Sequence, residues 1–337
     1  MFSQLVLTDT RISVIQRFRQ TVSQETCRHN VTSPMNGVFH WGGPSVVWRA
    51  CRLAGTPVKC VPVVLINLFD RARTMFFPRH SILLLAGFLG SISPASAHFL
   101  ELVPSTALVT KSGESQLSFD IRFTHPMEGG PLMNIERLER FGVQTVDGKQ
   151  DLTGQLVAET LPMALNPGKA QSYTADYSIR RAGDYTFYAS PTPYWEAEEK
   201  TMIIHHTKVI VNAYGLENGW ETPVGLPVEI MPLSRPYGLW TGNIFSGQVM
   251  KNGTPEGNAI IEIEYRGEGK VKTPATPFIT QTLRADANGV FHYAMPKAGW
   301  WVFAALLDTG KTLPAPDGTQ APVEEGGLIW VHTRNIP

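Results

Sequence analysis

Across 337 residues the 29 basic and 29 acidic side chains cancel, but the balance is uneven along the chain. Residues 1–97 hold 10 Lys+Arg and 3 Asp+Glu, which leaves 19 and 26 for residues 98–337 and a net charge of about −7 there. An acidic chain lacks the basic face that nucleic acid requires, and it suits a protein that meets cations.

The first 74 residues stand apart. They are Arg-rich, contain Cys27, Cys51 and Cys60, and show neither strand alternation nor helical periodicity. Met75-Phe-Phe-Pro-Arg79-His80 then forms a short basic head, residues 81–92 an apolar run, and Ala95-Ser96-Ala97 a small-x-small cleavage site. An apolar run of this length is too short for a spanning helix, which needs roughly 20 residues. The expectation is a signal peptide over 75–97, cut after Ala97, with Met75 as the start of translation. Residues 1–74 then read as a spurious or disordered extension.

Residues 98–337 contain no cysteine. That excludes disulfides, thiolate metal sites and cysteine nucleophiles, and leaves His, Met, Asp, Glu or the chain amine as metal ligands. The pattern is all-β. Ser115–Phe123 alternates with Leu117, Phe119, Ile121 and Phe123 on one face. Residues 172–179, 183–189 and the β-branched run 201–214 read as further strands, and only Met133–Phe141 has spacing suited to a helical turn. Asn218-Gly-Trp-Glu-Thr-Pro-Val-Gly225 reads as a linker within 217–226. Beyond it, strands are predicted over 227–236, 244–250, 259–265, 280–285, 290–295, 299–304 and 328–332, with Asp286-Ala-Asn-Gly289 as a hairpin turn. Two β-sandwich domains follow from this spacing, an Ig-like one over 98–216 and a second over 227–337. The second resembles the domains related to transthyretin and the carboxypeptidase regulatory domain, through Gly247-Gln-Val, Asn252-Gly-Thr-Pro, Asp286-Ala-Asn-Gly-Val-Phe291 and Ala298-Gly-Trp-Trp.

No helical zinc pair, nucleophile elbow or phosphate loop is present, so nothing recommends a hydrolase or a nucleotide enzyme. The chemistry rests on histidines. His98 would be residue one after cleavage, and its α-amine and ring Nδ1 can close one chelate ring. His125 ends the Leu117–Phe123 strand, with Met127 and Glu128 close behind it. His205 and His206 are adjacent on a strand, so only one can face a given site, and parity does not choose between them. Glu196 is a further oxygen donor, although Glu196-Ala-Glu-Glu199 reads as a solvated loop. His292 reads as structural and His332 as a surface residue.

These residues together resemble a bacterial periplasmic family of formally unknown function, labelled a nickel-uptake substrate-specific component and associated with energy-coupling-factor nickel/cobalt transporters. The carriers are Ala97-His98-Phe-Leu, Thr124-His125-Pro, Pro193-Tyr-Trp-Glu-Ala-Glu198, Ile203-Ile-His205-His-Thr-Lys-Val209, Asn218-Gly-Trp-Glu-Thr-Pro and Arg235-Pro-Tyr-Gly-Leu239. The resemblance implies a periplasmic protein, not an enzyme, that binds Ni2+ or Co2+ through His98, His125 and His205 and hands the ion to an inner-membrane permease. Cu2+ or Zn2+ suits the same donors. The alternatives are a copper carrier, a His-brace copper oxidase, or a structural or sugar-binding β module without metal.

Overall fold

In the computed structural model, residues 98–163 and 168–337 are described, together with a backbone pairing of Val38–Phe39 with Val46–Val47. The readings of 75–97 as a leader and of residues 1–74 as an extension fall outside the described residues. The described residues from 98 to 337 fall in one compact unit, and it is all-β.

The principal strands are β1 (Phe99–Pro104), β2 (Gln116–Thr124), β3 (Leu138–Thr145), β4 (Gly148–Asp151), β5 (Val157–Pro162), β6 (Lys169–Ser178), β7 (Gly183–Pro191) and β8 (Thr201–Ala213). They continue with β9 (Val228–Pro232), β10 (Ile244–Lys251), β11 (Ile260–Tyr265), β12 (Gln281–Arg284), β13 (Val290–Ala294), β14 (Gly299–Pro314) and β15 (Gln320–Arg334). One five-stranded sheet runs β1-β2-β6-β5. A four-stranded sheet is built on β9-β10 with β13. Between them lies an eleven-stranded sheet ordered β12-β11-β14-β15-β8-β7-β3-β4.

The expected helical turn over Met133–Phe141 is absent. Leu132–Met133 pairs with β2, and Leu138 begins β3. The 3-residue spacing of Leu138 and Phe141 that suggested a helix comes from a strand whose pairing slips opposite Ser190/Pro191. Both side chains still reach the core, at 2% and 1% exposure.

The two expected sandwiches appear as two apolar cores, but they share a sheet. β8 pairs in parallel with β15, from Met202↔Val323 to Val209↔Trp330. Successive side chains on β14 and β15 feed opposite cores. Val302, Ala304, Leu328 and Trp330 pack with Phe119, Phe141 and Phe187 under the five-stranded sheet. Phe303, Ala305, Ile329 and Val331 pack with Phe245, Val249 and Phe291 under the four-stranded sheet. A strand covered on both faces needs apolar residues at every position, which explains the unbroken runs Trp301–Ala305 and Leu328–Val331.

The segment 217–226 is irregular, as a linker should be, but it is tied down. The buried Asp184 Oδ2 accepts hydrogen bonds from the backbone N–H groups of Asn218, Gly219 and Trp220 at 2.8, 3.0 and 3.1 Å. Its Oδ1 accepts from Asn212 Nδ2 and the Tyr237 hydroxyl. A few residues on, Glu229 accepts the N–H groups of Val224 and Gly225 and pairs at 2.6 Å with the equally buried Lys208.

Candidate metal site

Strand pairing brings the first two histidines together. β1 and β2 are antiparallel with Phe99 opposite Thr124 and Leu100 opposite Phe123. Carried one residue further, the same register sets His98 opposite His125. Directly opposed side chains lie close enough to touch, and the two imidazole centroids are 4.3 Å apart. Phe123 and Tyr194 close around them, their rings 5.9 and 6.5 Å from that of His98.

Glu196 joins this pair. The short strand Tyr194–Glu196 folds back on β8 and places Glu196 Oε2 3.5 Å from His98 Nδ1. The sequence reading of residues 196–199 as a solvated loop therefore holds for Glu198 and Glu199, which are exposed, but not for Glu196, which is 9% exposed. His98 Nδ1 is buried without a hydrogen-bond partner. Burial, aided by the neighbouring imidazoles of His125 and His205, pushes the His98 pKa down to about 3. Its ring is therefore neutral, the form in which imidazole ligates.

The structure separates the adjacent pair on β8. His205 lies on the face of Ile203 and Val209, toward the core beneath β1 and β2. Its ring meets Phe123 at 5.7 Å and Phe99 at 6.4 Å. It is 2% exposed, neither ring nitrogen has a hydrogen-bond partner, and Nε2 stands 3.7 Å from Glu324 Oε1. His206 faces the other way, with Lys208 and Ile210. Its Nδ1 shares a 2.8 Å hydrogen bond with Ser190 Oγ, and its Nε2 lies 3.8 Å from Glu325.

Met127 and Glu128 follow His125 into a turn that is gripped by the C-terminal half. The N–H groups of Glu268 and Gly269 donate to the carbonyls of Pro126 and Met127, and the Met127 N–H donates to Glu264 Oε2 at 3.1 Å. A Cβ at Gly267 would stand 2.7 Å from the Met127 carbonyl oxygen and 3.0 Å from its sulfur. The Met127 thioether is thus packed against Gly267, and the Glu128 side chain is exposed.

Sequence reasoning missed Glu262, Glu324 and Gly326. Alternation on β11 does place Glu262 and Glu264 opposite the core residues Ile261 and Ile263, but which strand they overlook is a matter of topology. Gly326 lies beneath the His205 ring, where a Cβ would meet Cδ2 at 2.5 Å and Nε2 at 2.9 Å. Glu-Glu-Gly-Gly over 324–327 was the available signal, since glycine inside a strand marks a close approach.

The donor set of His98, His125 and Glu196, with an orphaned buried nitrogen, fits a borderline divalent metal. Among the described residues no three His, Cys, Asp or Glu side chains stand together as a ready-made metal-holding group, so closing on an ion requires side-chain rotation. A separate cleft of about 800 Å3 opens at the far end of the same sandwich, lined by Asp147, Lys149, Arg180 and Tyr185, and holds no histidine.

A family model described as a domain of unknown function (DUF4198) matches residues 95–309. No curated protein matches the chain. Among solved structures it aligns with dimeric latent PorU from Porphyromonas gingivalis at 9% identity, over 73% of this chain but 21% of that one, with a TM-score of 0.19. The D00-D0 domain of intimin aligns at 13% identity over 71% of this chain and 100% of that one, TM-score 0.16. BcpA, the major pilin subunit of Bacillus cereus, aligns at 11% over 68% and 70%, TM-score 0.18. At TM-scores this low they bear on neither the fold nor the site.

Proposed function

Because the chain belongs to the DUF4198 family of domains of unknown function, we propose from its site that it is a periplasmic binder of Ni2+ or Co2+ that passes the ion to a membrane permease. The observation that carries this reading is the opposition of His98 and His125, 4.3 Å apart, with Glu196 beside the unbonded Nδ1 of His98. The ion is cargo rather than a resident cofactor. Cleavage after Ala97 frees the His98 α-amine, so amine, Nδ1 and the His125 ring supply three nitrogens and Glu196 an oxygen. His205 stands near enough to depress the His98 pKa and is the third imidazole of the site. Its approach demands that the ring swing away from Glu324.

The resemblance to nickel-uptake components supplies the choice of Ni2+ and Co2+ and the permease partner. Cu2+ binds such nitrogens more tightly than either, so affinity rank alone does not identify the cargo. The test is calorimetric titration of Ni2+ into protein beginning at His98, beside a version carrying one extra residue before it. The extra residue is expected to weaken binding at least tenfold, and His125→Ala by a similar factor. Binding that is absent, or that is indifferent to both changes, overturns the reading.

A further inference from the structure

The imidazoles of the candidate site are nearly shut off from solvent. His125 and His205 are 4% and 2% exposed, and the His98 side chain 13%. An ion arriving with its hydration shell has to be let in. Two hollows lead toward the histidines from the side of Tyr194. A cleft of about 440 Å3 opens to solvent between residues 314–316, at the end of β14, and Asn134, Thr192, Tyr194, Trp195 and Met202. Among the described residues that line it, the one charged side chain is an acid, Glu136. Behind the cleft lies a crevice of about 10 Å3 that reaches Phe123, Ile203 and His205. Asn134, Thr192 and Tyr194 line both hollows.

A single water needs roughly 10–15 Å3, so the crevice as it stands passes no hydrated ion. What narrows it is aromatic. Tyr194 pairs with Ile203, which shares a face of β8 with His205, so Tyr194 sits one row from that histidine. Its ring meets Phe123 edge-on at 5.1 Å, and Phe123 meets His205 at 5.7 Å. The same Tyr194 ring lies 6.5 Å from that of His98. Tyr194 is half-buried, and among the described residues its hydroxyl makes no hydrogen bond. Strand pairing fixes its backbone, but packing alone holds its ring. Rotation to another staggered position gives up ring contacts and breaks no hydrogen bond.

We propose that Tyr194 is a gate between this cleft and the buried imidazoles, and that the cleft is the entrance by which a divalent cation reaches them. The lone acid at the entrance favours a cation over an anion. With the ring in place the crevice is closed, and when the ring turns outward the cleft runs through to His205. Closure behind the ion then slows its loss to solvent, as a lid does. The choice of ion rests on the metal-binding reading above, whereas the gate itself rests on the packing of Tyr194 against Phe123.

The first probe is diethyl pyrocarbonate, which acylates accessible neutral imidazoles, applied to the full chain and mapped residue by residue by peptide mass spectrometry. In Tyr194→Ala the rate at His205 is expected to rise at least tenfold. His206, next to it on β8 but on the opposite face, should stay protected, and the exposed His292 should react as before. No rise at His205, or an equal rise at His206, which signals a loosened strand, overturns the gate. Should Tyr194→Ala misfold, Tyr194→Val, which keeps a β-branched residue on the strand, gives the decision. The second probe is Ni2+, followed by stopped flow in protein expressed with its own leader. Uptake and release should both quicken about tenfold in Tyr194→Ala. Unchanged rates mean that the ion reaches His98 directly, and faster release alone means that Tyr194 steadies the bound ion; either overturns the entrance. Failure of the nickel reading shows separately, as absent Ni2+ binding in the unaltered protein, and the acylation of His205 still decides the gate.

Discussion

His98 and His125 meet because an antiparallel register continues one step past the last paired residues. That contact was partly legible: His125 ends an alternating strand, but the strand after His98 is buried at every position and shows no alternation, and nothing local says that the two are neighbours. The choice between His205 and His206 was not legible at all, because β8 is apolar on both sides and parity gives no sign of which face belongs to which core. Gly326 makes the choice physical, since only a glycine lets the His205 ring lie on the sheet. Gly326→Ala is expected to destabilise the fold by about 1–3 kcal/mol by forcing that ring out of place. His205→Ala in the same background should recover much of the loss, a coupling that a double-mutant cycle in urea measures. Additive effects would mean that the ring moves freely.

His332 corrects a sequence reading in another way. Expected at the surface, it packs against Trp300 with ring centroids 4.8 Å apart. Burial, with Arg334 nearby, pushes its pKa down to about 4. Between that value and the ordinary 6.5 the unfolded chain binds a proton that the folded chain refuses, so stability is lost as pH falls through this window. Urea midpoints measured from pH 6.5 to 4.5 should fall, and His332→Gln should flatten the slope. An unchanged slope places the proton uptake elsewhere.

At the scale of elements, the segment after β8 reads from sequence as a linker because it is rich in Gly, Pro and polar residues. It is instead an organised loop, and its organiser is 34 residues upstream, which no local pattern discloses. Asp184 gathers three backbone N–H groups, an amide and a phenol. Removing a buried acceptor leaves each donor without a partner. Asp184→Ala is therefore expected to cost about 3 kcal/mol or more, and Tyr237→Phe, which deletes one donor, about 1 kcal/mol. Equal losses in the two variants would deny Asp184 its central place. The turn after His125 is held in the same fashion by residues 264–269, so the C-terminal half supports a site whose first two histidines come from the N-terminal half.

For the whole molecule, the all-β class and most strands follow from alternation and turn residues, and the strand lengths at β14 and β15 do not. Sequence reading ended the first at residue 304 and began the second at 328, where the strands run Gly299–Pro314 and Gln320–Arg334. Beyond Leu307 the first strand is polar and largely exposed, and the second mixes buried Ala321 and Val323 with Pro, Glu and Gly, so no continuous apolar run marks them. The parallel pairing of β8 with β15, over a hundred residues apart, has no sequence signature either, and it is what joins two expected sandwiches into one body.

That shared sheet has a consequence for isotope exchange. The backbone amides of Val209, Ile329 and Val331 lie in strands flanked on both sides and covered above and below by separate cores. Local fraying cannot reach them without breaching one core or the other. They should be the last amides in the chain to take up deuterium, at a rate set by complete unfolding. Because β8 and β15 belong to different halves of the chain, their amides should exchange together rather than as two populations.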